Sequence, residues 1–479
     1  MGLMRFTAAA VLVLAAAGAR AAECASDVRE IFSRNAVPAL AAGPAAWNGN
    51  VLAVAMEQVS NGAVWMHVYN ERSDLLYPYV RIAAAEGAEV LENLWNGDHF
   101  GIFYRNDDND LVLRKFSTTG ELIGAPVVPL QGRLRPEDRI DIIWSSRLDA
   151  YLVARTSHVP TRLVVLTILN RDGTRRTVTQ LETPANESFI RIAETDSGVI
   201  GIFYEQDVTR DVMMLAISPG GSDIKRKIWT ASQEDPVVTD WNNQFVLVRA
   251  IQQGDGRGAL RWKVVNTTGF DTIPDRRLVL GSGIGVAPLS LQFVNNELAL
   301  TYLDAREGFE MQTPSYRLVR WSPVTSDIIA DTVFAAAEPQ RQRAATDHDF
   351  IWTGASYLAV AVRRTLSDGD DTFIIRLCPL NARIQGPTVV ETGATVTFAA
   401  APEGGVPGFA YEWRFGEINV TTGPSVQRTH TLPGTYSIEL TVIDNSGTSS
   451  RETRTYTVVD PPPPPPPPPT PRRRAVRKG

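Results

Sequence analysis

The acidic residues of this 479-residue chain are its main candidates for chemistry. They are concentrated in short polar segments between apolar runs. Asp107, Asp108 and Asp110 form the densest of these segments. Carboxylate oxygens can bind calcium or accept hydrogen bonds from sugar hydroxyls, and two suitably spaced carboxylates can hydrolyse a glycosidic bond. The segment lacks the glycine and the distal glutamate of an EF-hand, so it does not match that calcium-binding loop.

Other catalytic patterns are missing from the sequence. Its five histidines are scattered, and no pair has the spacing of zinc ligands. It contains neither a G-x-S-x-G nucleophile elbow nor a phosphate-binding P-loop. A net charge of −6 with 21% charged residues gives no overall electrostatic case for binding nucleic acid. We therefore expect no nucleic-acid partner and no cofactor, with calcium as the one candidate ion.

An internal repeat shows which elements must position the carboxylates. One short pattern returns seven times along residues 47–383, at intervals of 46 to 59 residues. It consists of a bulky or polar residue, a small polar turn and an apolar strand. The copies begin at Trp47, Trp95, Trp144, Thr195, Trp241, Phe293 and Trp352. Each copy continues through further alternating strands and glycine-containing turns, which is typical of antiparallel sheet. Four strands and about 50 residues per unit predict an all-β fold, a β-propeller of roughly seven blades, with six or eight as alternatives.

The turn in these copies, Trp followed by Asn or Thr and then Gly, resembles the repeats of secreted bacterial β-propeller proteins. That resemblance covers residues 47–383. It implies an architecture and no particular activity, because such propellers share no single function.

The propeller topology predicts where the carboxylates lie. The hairpin between the second and third strands of a blade and the connection between blades open on the same face, and the acidic segments fall in these loops. We expect this face to bind a ligand or a metal ion, and the candidate residues are Asp107, Asp108, Asp110, Asp207, Asp304, Asp368 and Asp370. The connections between blades add further carboxylates, among them Asp138 and Asp235. The alternative is that exposed β-turns favour aspartate for backbone reasons alone.

After Pro387 the repeat stops and a second module begins. Alternating strands over residues 388–459 predict a small immunoglobulin-like sandwich. The strand motif G-x-Y-x-V-x-L-x-V-x-D of the PKD family is matched at Gly434, Tyr436, Ile438, Leu440, Val442 and Asp444. Its W-D-F-G-D core is matched at Trp413, Phe415 and Gly416, with Arg414 and Glu417 in place of aspartates. Residues 384–459 therefore resemble a PKD domain, in which we expect Trp413 and Tyr436 to be core residues.

The beginning of the chain predicts export. Residues 1–21 have the basic start, the apolar run and the A-x-A cleavage site of a signal peptide, and the run is too short to span a membrane. No other segment predicts a transmembrane span, so we expect a secreted protein, periplasmic or extracellular. Residues 22–46 form an N-terminal segment that could close the ring. The two cysteines, Cys24 and Cys378, should pair in an oxidising compartment, with two separate buried thiols as the alternative.

Residues 460–479 combine a polyproline run with a basic end. Polyproline forms a stiff, extended left-handed helix, which predicts a spacer. The basic end is either a disordered solubilising tail or an electrostatic tether to an acidic envelope polymer.

These features together predict a monomeric, non-catalytic binding or adhesion protein that is secreted or held at the cell surface. Its propeller face would bind a glycan or a protein, and the PKD module would act as a spacer. The alternative is an extracellular carbohydrate-active enzyme of the glycoside hydrolase type that uses paired acids on the same face.

Overall fold

The computed structural model describes strands throughout and no helix in the part of the chain that it covers. The described residues are 27–32, 40–58, 63–70, 74–83, 88–132, 134–157, 163–181, 185–206, 209–220, 223–230, 235–253, 256–280, 285–294, 296–305, 315–336, 342–354, 356–365, 369–405, 408–416, 419–444 and 449–461. The predicted signal peptide, Cys24, Asp207, Asp368 and the basic tail lie outside them. Within these residues, no helix has the length and apolarity needed to cross a membrane.

The described residues form two compact units: the first ends at Pro379 and also includes Gly404 and Gly405, and the second contains the remaining described residues from Leu380 onward. The first unit contains seven four-stranded sheets among its described residues, here called blades 1 to 7. The chain begins with β1 (Asp27–Phe32). Blade 1 comprises β2 (Leu40–Trp47), β3 (Val51–Gln58), β4 (Val64–Asn70) and β5 (Leu75–Ala83). Blade 2 comprises β6 (Glu89–Trp95), β7 (Phe100–Arg105), β8 (Leu111–Phe116) and β9 (Leu122–Leu130).

The remaining blades follow the same plan. Blade 3 comprises β10 (Ile140–Ser145), β11 (Ala150–Ser157), β12 (Leu163–Asn170) and β13 (Arg175–Leu181). Blade 4 comprises β14 (Ala185–Glu194), β15 (Ile200–Gln206), β16 (Val212–Ile217) and β17 (Asp223–Trp229). Blade 5 comprises β18 (Val237–Trp241), β19 (Gln244–Gln252), β20 (Gly258–Asn266) and β21 (Asp271–Leu280). Blade 6 comprises β22 (Gly285–Val294), β23 (Glu297–Ala305), β24 (Ser315–Trp321) and β25 (Ile328–Ala336). Blade 7 comprises β26 (Gln342–Trp352), β27 (Tyr357–Thr365) and β28 (Gly369–Leu377), together with β1.

The first strand of each blade lies on the inside of a closed ring. In blades 1 to 6 the strands pair antiparallel in sequence order, so the first and fourth strands form the two edges. The first strands contact one another around the ring, from β2 through β6, β10, β14, β18, β22 and β26 back to β2. The β-propeller prediction is therefore confirmed, and the described sheets equal in number the repeat units counted in the sequence.

The ring is closed by strands from both ends of the propeller segment. β1 pairs antiparallel with β28, with Asp27 opposite Arg376 and Arg29 opposite Ile374, and forms the outer edge of blade 7. The last blade therefore takes its outer strand from the N-terminal part of the described chain. Cys378 follows β28 and is buried. Because Cys24 lies outside the described residues, the disulfide between them stays a prediction.

The repeat motif is a hairpin between the first two strands of a blade. In blade 2 the side-chain oxygen of Asn96 accepts hydrogen bonds from the backbone N–H groups of Asp98 and His99 at 3.0 and 2.9 Å. Gly97 takes a φ of 88°, a left-handed conformation that favours glycine. Trp95 then packs against Phe100 on the next strand, with ring centroids 4.8 Å apart. The aromatic, the amide and the glycine each have a local role in reversing the chain.

The second unit is a two-sheet sandwich. Its strands are β29 (Ile384–Gln385), β30 (Val389–Glu391), β31 (Thr395–Ala400), β32 (Ala410–Phe415), β33 (Asn419–Thr422), β34 (Ser425–Thr429), β35 (Gly434–Ile443) and β36 (Ser449–Val459). One sheet has the order β29-β31-β34 and the other β30-β36-β35-β32-β33. Trp413 is fully buried in the core, as the sequence predicts, and donates a hydrogen bond to the carbonyl of Gly423 at 2.8 Å. Tyr436 is only partly buried and packs against that core.

Candidate functional site

The densest acidic loop is a hairpin of blade 2, and only some of its carboxylates are exposed to solvent. Asp107 and Asp108 are exposed between β7 and β8. Asp110 is buried and accepts hydrogen bonds from the side-chain amide of Asn106 at 3.2 Å and the backbone N–H of Gly132 at 2.6 Å. Asp110 therefore holds the hairpin against the connection that follows β9, which is a structural role.

The other sequence candidates lie apart from this hairpin. Asp304 is buried at the end of β23 in blade 6, opposite Ser315 on β24. Asp370 lies on β28, opposite Arg364 on β27. Among the residues that the structure describes, no group of three or more His, Cys, Asp or Glu side chains is placed to hold a metal ion. The candidates that are described do not form one site.

The same face of the propeller carries a cavity of about 340 Å³. It is lined by Glu89, Val90, Leu91, Arg105, Leu134, Arg135, Pro136, Asp138, Arg139, Ile140, Phe189, Arg191 and Asp235. These residues come from the beginnings of β6 and β10, the middle of β14, the end of β7, and the connections that lead into β10 and β18. Because the first strands surround the axis, the cavity lies on the axial side of the face. Its lining contains four arginines and three carboxylates.

One wall of the cavity is built by blade 2. Glu89 and Arg105 lie directly opposite each other on β6 and β7 and form an ion pair. Arg105 also donates a hydrogen bond to the backbone carbonyl of Arg135 at 2.7 Å. The pair therefore ties the blade to the connection that leads into blade 3, and the guanidinium is held by two separate acceptors.

A second wall is the connection into blade 3. The backbone N–H of Asp138 donates to the carbonyl of Arg135 at 3.0 Å, and the Asp138 carboxylate accepts from the backbone N–H of Arg135 at 3.0 Å. Arg155 on β11 lies 3.9 Å from the same carboxylate, and both side chains are buried. Arg139 is fixed through its backbone, whose N–H and carbonyl both bond to Thr156 at 2.9 Å. Hydrogen bonds within the protein therefore hold the backbone of this wall in place.

The third wall joins blades 4 and 5. Arg191 on β14 lies 4.0 Å from the carboxylate of Asp235, and both are partly exposed. Partial burial raises the pKa of the Asp235 carboxyl, while the positive charges of Arg191 and Arg139 lower it and Glu205 raises it further. Phe189 also borders the cavity here but is almost completely buried. Both arginines therefore act electrostatically on the Asp235 carboxyl.

The sequence predicts Asp138 and Asp235 as candidate residues, but it does not predict the arginines that line the cavity. A partial signal was present, because an arginine lies at or near the end of the second strand in blades 2 and 3. Arg105 ends β7, and Arg155 lies near the end of β11. In blades 2 and 3 these residues hold Glu89 and Asp138 respectively.

Comparisons with known proteins agree with the two-part architecture. Residues 379–459 match the PKD domain family, which confirms the PKD prediction. The PKD1 domain of Vibrio anguillarum Epp is a similar solved structure at 25% identity, with a TM-score of 0.16, and the match covers 17% of this chain and 95% of that one. No relative was found among curated proteins.

The first unit is similar to solved propellers only at low identity. The β-propeller domain of the Trilobed protease from Pyrococcus furiosus matches at 9% identity over 70% of this chain and 95% of that one, with a TM-score of 0.44. The SapL1 lectin in complex with alpha methyl fucoside matches at 14% identity over 62% of this chain and 96% of that one, with a TM-score of 0.40. The fold of this unit therefore rests on its own strand topology.

Proposed function

We propose that this chain is an exported, non-catalytic binding or adhesion protein whose propeller face holds an extracellular glycan or protein in the cavity between blades 2, 3, 4 and 5. The observation that carries the proposal is the preformed lining, in which backbone and ion-pair contacts fix Arg105, Asp138 and Arg139. Binding sites are typically concave and largely preformed, with a few placed polar groups on an apolar background. Loops on a rigid scaffold commonly carry such sites.

The PKD module serves as a spacer in this proposal. Its large aromatic residues are used internally: Trp413 is buried in the core, and Tyr436 donates to the carbonyl of Leu432 at 3.0 Å. Export to the periplasm or the extracellular space is supported by the predicted signal peptide and by the PKD family match. The basic tail would add an electrostatic tether to an acidic envelope polymer.

A glycan array probed with the mature protein, with and without calcium, tests the proposal. Arg191→Gln changes the cavity, and Arg175→Gln is a matched control on the exposed outer strand β13. We expect saturable binding to at least one ligand class that Arg191→Gln weakens and Arg175→Gln does not. Binding that both variants retain in full would place recognition elsewhere and contradict the proposal.

A second candidate function is that of a carbohydrate-active enzyme, and Asp235 is the observation that favours it. Its carboxyl has a raised pKa and shares the cavity with Glu89 and Asp138. A carboxylic acid that stays protonated up to a higher pH than usual can act as a general acid in glycoside hydrolysis. Release of reducing ends from the bound polysaccharide, abolished by Asp235→Asn, would favour this function. Binding without product would favour the binding protein.

A further inference from the structure

We propose that the outer rim of blades 3 to 5 binds an extended polyanion, a phosphate polymer of the cell envelope. This rim consists of the fourth strands β13, β17 and β21, each of which forms the outer edge of its sheet. It is a different surface from the cavity, and only its setting in the envelope rests on the proposed export. The basis of the proposal is the positive charge on these strands and the partners of their arginines.

Positive charge is concentrated on one arc of the ring. The rim strands carry seven basic and three acidic residues, whereas the outer strands of the other four blades together carry two basic and three acidic residues. Basic residues on edge strands also prevent edge-to-edge pairing. That role would apply to every blade, yet β9 of blade 2 has no charged residue. Protection of the edges therefore does not account for the arc.

Five arginines of the rim have no carboxylate partner. They are Arg175, Arg176, Arg226, Arg276 and Arg277. Arg226 donates to the backbone carbonyl of Thr268 at 2.8 Å, Arg276 donates to the hydroxyl of Ser326 at 2.6 Å, and the hydrogen-bond partners of Arg176 are neutral as well. Within the described part of the chain, none of the five forms an ion pair. Their charge is therefore directed at solvent or at a ligand.

The acidic residues of the rim mostly neutralise other cations. Asp271 pairs with Lys263 at 2.8 Å, and Asp275 pairs with Arg261 at 3.2 Å. Lys263 and Arg261 belong to β20, the strand beside the rim. Asp223, exposed at the start of β17, is the third acidic residue. Two of the three carboxylates are thus used within blade 5, and the rim keeps an excess of positive charge.

An extended ligand fits this arrangement better than a small anion. The five arginines are spread over three neighbouring blades, so one small anion cannot contact them all. A chain with a phosphate at every repeat can contact several of them at once, and linked contacts strengthen one another through effective concentration. The planar guanidinium group also binds phosphate through two parallel hydrogen bonds.

The rim favours a polymer without bases over a nucleic acid. Single-stranded nucleic acids are held by stacking on aromatic side chains as well as by charge. The rim offers little stacking surface, because Trp229 is buried and the ring of Phe270, although 56% exposed, lies under the Arg226 guanidinium at 3.7 Å. Charge is therefore the main attraction that the rim provides.

Biolayer interferometry with a linear polyphosphate at several salt concentrations tests the proposal on the mature protein. The rim variant combines Arg175→Gln, Arg176→Gln, Arg226→Gln, Arg276→Gln and Arg277→Gln, and it is measured with and without residues 460–479. We expect the rim variant to bind about tenfold more weakly or worse, with a smaller dependence on salt. Arg277→Gln and Arg81→Gln are a matched pair, since both arginines are exposed on outer strands. Only Arg277→Gln should weaken binding.

A thermal melt of each variant controls for folding, and the single substitutions decide the matter if the rim variant unfolds. Absence of binding at low salt would overturn the proposal. So would binding that the rim variant keeps and that deletion of residues 460–479 abolishes, because the polymer would then bind the basic tail. Tighter binding of single-stranded DNA or polygalacturonate would replace the phosphate polymer with a nucleic acid or an acidic polysaccharide. Displacement by inorganic phosphate at equal phosphate concentration would contradict the need for an extended chain.

These outcomes are separate from the test of the cavity. Arg191→Gln leaves every rim arginine in place, and the rim variant leaves the cavity lining unchanged. Failure of the rim proposal and failure of the proposed function can therefore be told apart.

Discussion

Asp141 lies on β10 beside the cavity and links two blades through one hydrogen bond. Its carboxylate accepts from the backbone N–H of Ile192 on β14 at 2.7 Å. Burial raises the pKa of this carboxyl, although Arg191 and the backbone N–H groups of Ile192 and Ile142 oppose the shift. A carboxyl whose pKa is higher in the folded state stabilises the fold below its unfolded pKa, and that contribution is lost as pH rises.

We therefore predict that Asp141→Asn gains stability relative to the unmodified protein as pH rises from about 4 to 7. Asparagine can still accept the hydrogen bond from Ile192, but it cannot ionise. Urea unfolding at both pH values measures the difference in free energy. If the difference is the same at pH 4 and pH 7, the folded-state pKa of Asp141 is not raised.

His67 should make the stability of the fold depend on pH in the opposite direction. It lies on β4 at 2% exposure, and burial lowers its pKa from 6.5 to about 4. The neutral ring is therefore favoured by the fold, and its contribution, up to about 3 kcal/mol, is lost as pH falls from 6.5 towards 4. We predict that His67→Gln flattens the acid side of the stability profile. An unchanged acid profile in His67→Gln would refute the prediction.

Residue types visible in the sequence identified only part of the site. Asp107 and Asp108 stood out because they are dense and local, whereas the cavity joins Arg105, Arg139 and Arg191 from three blades. Which arginines meet depends on how neighbouring blades pack, and a repeat period alone does not give that geometry. Asp110 illustrates the same limit, because its bond to Gly132 crosses from one loop to the next.

At the scale of the element, turns decide how closely blades can pack. Gly173 lies in the hairpin between β12 and β13 with a φ of 91°, and a Cβ there would come 2.6 Å from Leu113 of blade 2. Gly256 has a similar φ of 82°, but a Cβ there would meet open space. An alanine would be strained by the left-handed backbone at both positions, but only at Gly173 would its Cβ also clash with a neighbouring side chain.

We predict that Gly256→Ala costs about 1 kcal/mol of unfolding free energy, from the left-handed backbone alone. Gly173→Ala should cost a further 1–3 kcal/mol or so, because the added methyl group overpacks the boundary between blades. Equilibrium unfolding in urea measures both. Equal losses would mean that blade 2 can move away from this turn without penalty.

The elements themselves followed largely from the sequence. Trp47, Trp95, Trp241 and Trp352 each end the first strand of a blade. An aromatic followed by Asn or Thr and a glycine, or by two asparagines with positive φ after Trp241, specifies a hairpin locally. The pairing of β1 with β28 has no comparable local pattern, since it joins residues near the two ends of the propeller. The sequence suggested a clasp in residues 22–46 without giving the strand or its register.

At the scale of the whole molecule, β1 closes the ring and should determine the stability of the propeller. We predict that deletion of residues 22–33 from the mature protein lowers Tm by more than about 5 °C, since a few kcal/mol shift Tm by that order. Cys24→Ser keeps the strand and removes only the predicted disulfide, so it separates the two contributions. An unchanged Tm in the deletion variant would show that blade 7 is stable with three strands.

The cavity, too, is a property of the whole ring, because no single blade contains it. Blades 2, 3, 4 and 5 each contribute to its lining. Ligand binding should therefore stabilise the closed propeller as a unit, by an amount that grows with ligand concentration.

A crystal structure of the mature protein with the saccharide of highest affinity tests the central claim most directly. Our account predicts that the saccharide lies in the cavity, in contact with Arg191 and Asp235. A saccharide bound at the outer edges of the blades or on the PKD module, with the cavity free of it, would contradict the account.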